Sequence, residues 1–175
     1  MELNHHIAAE IAGRYFDTTE PLEKLGWGIS GFVYLSPDSR SAVKVHRHED
    51  SFARELEVYQ RLRRLDMTQL HGLNIPKLRG YRSDLRVIQM DLVSSPFLLD
   101  FAGVQFNPPD FSAETMADWH TRISGFFGPN AWIAYAVYRS LAQHGMYYMD
   151  FRPTNLKLEG LPGLEPFDPS ADENV

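Results

Sequence analysis

The sequence predicts an α+β protein built in two parts, the first rich in short strands and the second rich in helices. Two observations carry that expectation. Short β-like runs broken by turn residues fill most of the stretch from Pro21 to Val93, with one helical pattern between them. After Ser94 those runs stop, and longer apolar patterns of helical spacing take over. The length agrees, since 175 residues with 43% hydrophobic and 23% charged side chains can bury the core of one domain or of two small lobes. The expected division is a helical extension over 1–19, a five-stranded antiparallel sheet with one helix over 20–93, and a small, mainly helical part over 94–175.

Each element has its own signal. Residues 5–16 read as a short amphipathic helix with Ile7, Ile11 and Tyr15 on one side. The run Phe32–Leu35, the turn cluster Ser36-Pro37-Asp38-Ser39 and the run Ala42–Val45 read as a hairpin. Ser51 is the expected N-cap of a helix reaching about Leu65, with Phe52, Leu56, Tyr59 and Leu62 at helical spacing. Strands around Lys77–Tyr81 and Arg86–Val93 flank the polar turn Arg82-Ser83-Asp84. A Pro- and Phe-rich connector containing Asn107-Pro108-Pro109 follows, then helices near 112–124 and 130–143. Trp119, Phe126, Phe127 and Trp132 are expected in the helix core, and the last dozen residues, rich in Pro and acids, have little to bury.

Composition narrows the function classes. A formal charge of -6 argues against nucleic acid, which needs a clustered cationic surface. Arg54, Arg61, Arg63 and Arg64 do cluster, but they alternate with acids and apolar residues in the manner of a solvated helix face. There is no cysteine, so a reducing cytoplasm is allowed; delivery into another cell stays open. The N-terminal Met-Glu-Leu-Asn-His-His has neither the basic nor the apolar region of a signal peptide, and Ala131–Val137 is too short to span a bilayer. The expectation is a soluble protein with no membrane and no nucleic-acid partner. His46 and His48 alternate on a strand edge without a third ligand in sight, so no metal site is assigned to them.

Three constellations carry chemistry. Gly26-Trp27-Gly28-Ile29-Ser30-Gly31-Phe32-Val33 is a G-x-G-x-x-G-x-V string followed by strands rather than by a helix. That context suits a hairpin whose missing side chains let backbone N–H groups approach phosphates, although such glycines can also serve only a tight turn. Lys44 lies on the next strand among Ala42, Val43 and Val45, where an unpaired charge would be costly. Helical spacing puts Glu55 on the packed side with Tyr59 and Leu62 and makes it the expected partner, with Glu57 second; a structural salt bridge is the plainer alternative. The third is Tyr148-Met149-Asp150-Phe151-Arg152-Pro153-Thr154-Asn155, in which a carboxylate can orient a hydroxyl, a cation can neutralise a phosphoryl group, and a carboxamide can bind Mg²⁺.

In this order the segments resemble those of the protein-kinase-like superfamily: glycine-rich loop, V-A-I-K-like strand, helix Glu, and a catalytic loop in which Y-M-D-F-R-P-T-N stands for H-R-D-L-K-P-x-N. The resemblance covers roughly 20–168 and implies a two-lobe fold with a truncated helical second lobe. It also implies an ATP- and Mg²⁺-dependent phosphotransferase. By analogy, Met90 is the gatekeeper and Asp91-Leu92-Val93 the hinge; Gly26, Gly28, Ser30, Gly31, Val33, Ala42, Lys44 and Glu55 complete the nucleotide set. Asp150, Lys44 and Arg152 are the catalytic candidates, and Asn155 and Asp168 the metal ligands, with Glu159 or Asp172 as other sources of the second carboxylate. Tyr148 and Met149 replace the His and Arg of the family loop, and no activation segment or A-P-E motif follows within these residues. The resemblance is nearest to minimal bacterial effector-type kinases, with a hydroxyl of unknown origin as acceptor, a protein Ser or Thr among the candidates. A pseudokinase that binds nucleotide or scaffolds is the rival.

Overall fold

In the structure, a computed structural model describing residues 3–167, the elements run α1 (His5–Phe16), β1 (Lys24–Trp27), β2 (Gly31–Leu35), β3 (Ser41–His46) and α2 (Glu49–Arg64). They continue through β4 (Gln69–Leu70), β5 (Leu73–Asn74), β6 (Leu78–Arg82), β7 (Val87–Asp91) and β8 (Phe97–Leu98) to α3 (Ala113–Phe127), α4 (Ala131–Ala142) and β9 (Leu156–Lys157). The protein is α+β, and it divides into two units. The first takes the residues up to Thr68 with Pro76–Val93; the second takes Gln69–Ile75 with the residues from Ser94 onward. The short segment 69–75, which falls within the expected range 20–93, is thus grouped with the second unit, and α1 belongs to the first.

The first unit is a five-stranded sheet in the order β1-β2-β3-β7-β6, antiparallel throughout. The hairpin turn expected at Ser36–Ser39 forms as Asp38 Oδ1 accepts from Ser36 Oγ at 2.5 Å and from the Arg40 amide at 3.1 Å. Central β3 is buried at every position, so both of its faces are covered. On one face Val43 and Val45 join Phe32, Tyr34, Leu85 and Val87 beneath α1. Ala8 and Ala12, one helical turn apart, are the α1 residues pressed flat against this cluster; Ile7, Ile11 and Tyr15, the expected inner stripe, are only partly buried around it. Small side chains let the helix approach closely, and the larger ones flank the contact.

The other face of β3 carries Ala42, Lys44 and His46 by strand alternation, and α2 brings Phe52, Glu55, Val58, Tyr59 and Leu62 to its buried side. This helix starts two residues before the expected cap: His48 is the N-cap, and Ser51 lies in the first turn with its hydroxyl donating to the His48 carbonyl at 2.9 Å. Glu49 and Asp50 supply the negative charge that a helix start favours.

The second unit holds a small sheet in the order β4-β5-β8-β9 and the helices α3 and α4. Ser112 caps α3 by accepting the Thr115 amide at 3.1 Å. Trp119, Ile123 and Phe127 of α3 and Ile133, Ala134, Val137 and Leu141 of α4 are buried. Two expected core residues are not: Trp132 is 57% exposed and Phe126 38%. Apolar residues occupy most positions of α4, so the pattern there does not single out which side packs. Among the described residues no helix is long and apolar enough to cross a membrane.

Candidate functional site

The first unit contributes a hairpin and a buried ion cluster. Between β1 and β2 the Gly28 amide donates to the Gly31 carbonyl at 2.9 Å, closing the glycine-rich turn. The three glycines of the string have different reasons to be glycine. A Cβ on Gly31 would lie 2.1 Å from the Val45 carbonyl oxygen, so the neighbouring strand forbids it. A Cβ on Gly26 or Gly28 would meet nothing within 4 Å, and neither residue has a left-handed φ. Turn geometry therefore does not demand glycine at 26 or 28, and the open space above them is what close approach of a ligand to the backbone needs. Trp27 and Ile29 beside them stand 72% and 87% exposed, and the Ser30 carbonyl accepts the Arg47 amide at 2.9 Å.

One antiparallel pass away, Lys44 lies opposite Val33 on β2 and Ile88 on β7. Its Nζ donates to Glu55 Oε2 at 2.7 Å, with side-chain exposures of 6% and 1%. Glu57, the second choice, turns away to pair with Arg61 and Arg64 on its own helix at 2.8 and 3.3 Å. A second donor shares the Glu55 oxygen: His46 Nε2 lies 2.7 Å from the same Oε2. Burial pushes the Glu55 carboxyl up, but the Lys44 ammonium and the His46 contact more than reverse this and hold it at about 2. His46 was set aside as a metal residue, and its part in this cluster was missed. The signal was available: residues 44 and 46 share a strand face, so whatever meets Lys44 also meets His46.

Around the expected gatekeeper, Met90 pairs with Ala42 across the sheet, and its sulfur accepts the Tyr59 hydroxyl at 3.2 Å. Of the expected hinge, the Asp91 amide already donates to the Lys77 carbonyl at 3.0 Å, and the Asp91 carboxylate pairs with Arg79. That amide is committed within the sheet; Val93 lies two residues beyond the end of β7.

In the second unit the loop carrying Asp150 is held at both ends by one connecting segment. Gln105 and Tyr147 exchange backbone hydrogen bonds of 2.8 and 3.1 Å before it, and the Leu99 amide donates to the Asn155 carbonyl at 2.8 Å after it. Tyr148 is fully buried and donates its hydroxyl toward the Leu99 and Asp150 carbonyls at 3.1 and 3.0 Å. Its ring meets Phe151 edge-on at 4.8 Å. Trp119 on α3 fixes the next residue by donating to the Met149 carbonyl at 2.9 Å. These two aromatics are loop supports that sequence reasoning left out of the site.

Within the loop, Arg152 Nε donates to Asp150 Oδ1 at 2.7 Å, and Asn155 Nδ2 donates to Asp150 Oδ2 at 3.2 Å and to the Asp150 carbonyl at 3.1 Å. Asp150 and Arg152 are about half exposed at 43% and 53%, while Asn155 is buried. With its nitrogen turned to Asp150, Asn155 offers Oδ1, at 3.3 Å from the Thr154 hydroxyl, as the atom able to ligate a hard cation. A cavity of about 130 Å³ beside Asp150 is lined by Trp119, Arg122, Phe126 and Arg152 among others. The expected second ligand, Asp168, and the substitute Asp172 lie outside the described residues. Glu159 pairs with Lys157 at 3.6 Å. The structure thus brings together Lys44 with Glu55, and Asp150 with Arg152 and Asn155, each group inside its own unit.

No protein-family model matches this chain, and no curated protein matches it.

Proposed function

We propose that the chain is a minimal phosphotransferase of the protein-kinase-like kind, transferring the γ-phosphoryl group of Mg·ATP to a hydroxyl. The observation that carries this reading is the nearly unexposed Lys44–Glu55 pair at 2.7 Å on a strand and helix that follow a glycine hairpin with open space above Gly28. Burying two charges costs several kcal/mol in desolvation, on the order of what their attraction returns, so stability alone gives little reason to keep them. The five-stranded antiparallel sheet with α2 packed over the face that carries Lys44 supports the same reading. So do the carboxylate, cation and carboxamide gathered in the Asp150 loop.

Mg·ATP would supply the phosphoryl group and the divalent charge that neutralises it. In this reading backbone amides of the Gly26–Gly31 hairpin and the Lys44 ammonium hold phosphate oxygens. Glu55 fixes the position of that ammonium. Asp150 orients the acceptor hydroxyl and receives its proton, Arg152 offsets charge on the migrating group, and Asn155 Oδ1 binds the cation. The acceptor is a protein Ser or Thr or a small hydroxyl compound.

One observation favours the second reading, a pseudokinase that binds nucleotide without turnover: both Asp150 carboxylate oxygens already accept hydrogen bonds, from Arg152 and Asn155. A base so engaged must exchange a partner before it meets a hydroxyl. Thermal unfolding with millimolar ATP, with and without Mg²⁺, tests nucleotide binding, because a ligand selective for the native state raises the midpoint by mass action. No shift removes both readings. Release or transfer of labelled γ-phosphate, abolished in Lys44→Ala and Asp150→Ala, then separates the enzyme from the pseudokinase.

A further inference from the structure

The ring of His46 is wholly buried, and both of its nitrogens face acceptors. Nε2 lies 2.7 Å from Glu55 Oε2 and Nδ1 lies 3.2 Å from the Arg86 carbonyl oxygen. A carbonyl has no proton to give, and Glu55, held at about 2, has none at neutral pH. A neutral imidazole carries one N–H, so it would set a lone pair against one of these oxygens. An imidazolium satisfies both. Among the described residues, the ring meets the Glu55 carboxylate of α2, which Lys44 on its own strand also contacts; from the turn before β7 it meets a backbone carbonyl, and Phe52 of α2 packs edge-on at 5.6 Å.

We infer that His46 is a positively charged positioning residue, a buried imidazolium that holds the Glu55 carboxylate against β3 alongside Lys44. Both cations share Oε2, and Oε1 has no hydrogen-bond partner among the described residues. Glu55 is therefore clamped by one oxygen from two residues of a single strand face, which fixes this turn of α2 in register with the sheet. The sharing also divides the carboxylate's charge. A positive charge on His46 beside Lys44 adds to the attraction this strand face exerts on a phosphate. This last consequence rests on the nucleotide reading; the charge of His46 and its hold on Glu55 do not.

Ring-nitrogen NMR of the full chain labelled at histidine tests the charge directly. Both His46 nitrogens are expected to be protonated at pH 7, and a neutral ring there overturns the inference. In His46→Gln, which keeps a donor but no charge, the Glu55 carboxyl followed by carbon NMR is expected to titrate about one unit higher, a tenfold gain in proton affinity. An unmoved Glu55 titration overturns the positioning role, because a merely space-filling histidine would leave it in place. Should His46→Gln fail to fold, the wild-type ring signal still decides. ATP affinity, measured by titration calorimetry, is expected to fall about tenfold in His46→Gln at pH 7. Equal affinity in the two proteins overturns the link to Lys44. If the wild type binds no ATP at any pH, the nucleotide reading falls alone, and the two NMR measurements still judge His46.

Discussion

The two charged clusters of this protein are built on opposite principles. In the first unit Lys44, His46 and Glu55 are sealed between strand and helix, with exposures from 0% to 6%. In the second, Asp150 and Arg152 stand about half exposed on a loop whose anchors lie elsewhere: backbone pairing at its ends, and Tyr148 and Trp119 beneath it. Charge in a low-dielectric interior is coupled to folding, whereas exposed charge is screened and contributes little. The first cluster should therefore answer mutation and pH with stability, and the second with chemistry.

The sharpest way to break this contrast is Glu55→Ala. It leaves two buried cations without their shared carboxylate and is expected to cost about 3–5 kcal/mol, read as a lower midpoint in urea unfolding. A loss under about 1 kcal/mol would mean that water reaches the cluster and that the interior is not sealed.

Acid tests the same carboxylate without a mutation. Its folded value of about 2 lies below the ordinary 4.5, so its contribution is complete above about pH 4.5 and is lost as the pH falls toward 2. The difference corresponds to about 3 kcal/mol, and Glu55→Gln should flatten that part of the stability–pH curve.

What the sequence made legible follows the reach of the interactions. The Lys44–Glu55 pair could be read because strand alternation and helical spacing are local and each names a face; the same rules separate Glu55 from Glu57, which pairs within its own helix. Asp150 and Asn155 were legible as neighbours in one short loop, but the hydrogen bond between them was not. The β4-β5-β8-β9 sheet was not. Its strands are two residues long, too short for any periodicity, and β8 finds β9 across more than fifty residues. The buried hydroxyl of Tyr148 was hidden too, since its acceptors at Leu99 and Asp150 are known only once the connecting segment is in place. Trp132 shows the limit within a helix: α4 offers apolar residues on several sides, and only packing chooses among them.

The glycine hairpin refines the comparison inside the first unit. Gly31→Ala drives a Cβ to 2.1 Å from a backbone oxygen and is expected to destabilise by about 2–3 kcal/mol. Gly28→Ala meets open space and should change stability by less than about 0.5 kcal/mol, while weakening ATP binding in the thermal-shift assay. If Gly28→Ala is as damaging to the fold as Gly31→Ala, the space above Gly28 is not available to a ligand, and the hairpin is only a turn.

The smallest expected effect on stability is the most informative about chemistry. Asp150→Asn keeps the side-chain shape and an oxygen for one of the Arg152 and Asn155 donors, and the backbone carbonyl that Tyr148 and Asn155 grip is untouched. Its side chain is 43% exposed, so removing the charge should change unfolding free energy by less than about 0.5 kcal/mol. The amide cannot take a proton from a hydroxyl, however, and transfer of labelled phosphate should fall on the order of 10²–10⁴-fold if Asp150 is the base. ATP-induced stabilisation should persist, because phosphate binding is assigned to Lys44 and the hairpin. Intact fold and binding with lost transfer would make the open loop a catalytic one. Intact transfer would strip Asp150 of that role and leave the sealed cluster as the part of the protein that still speaks for nucleotide binding.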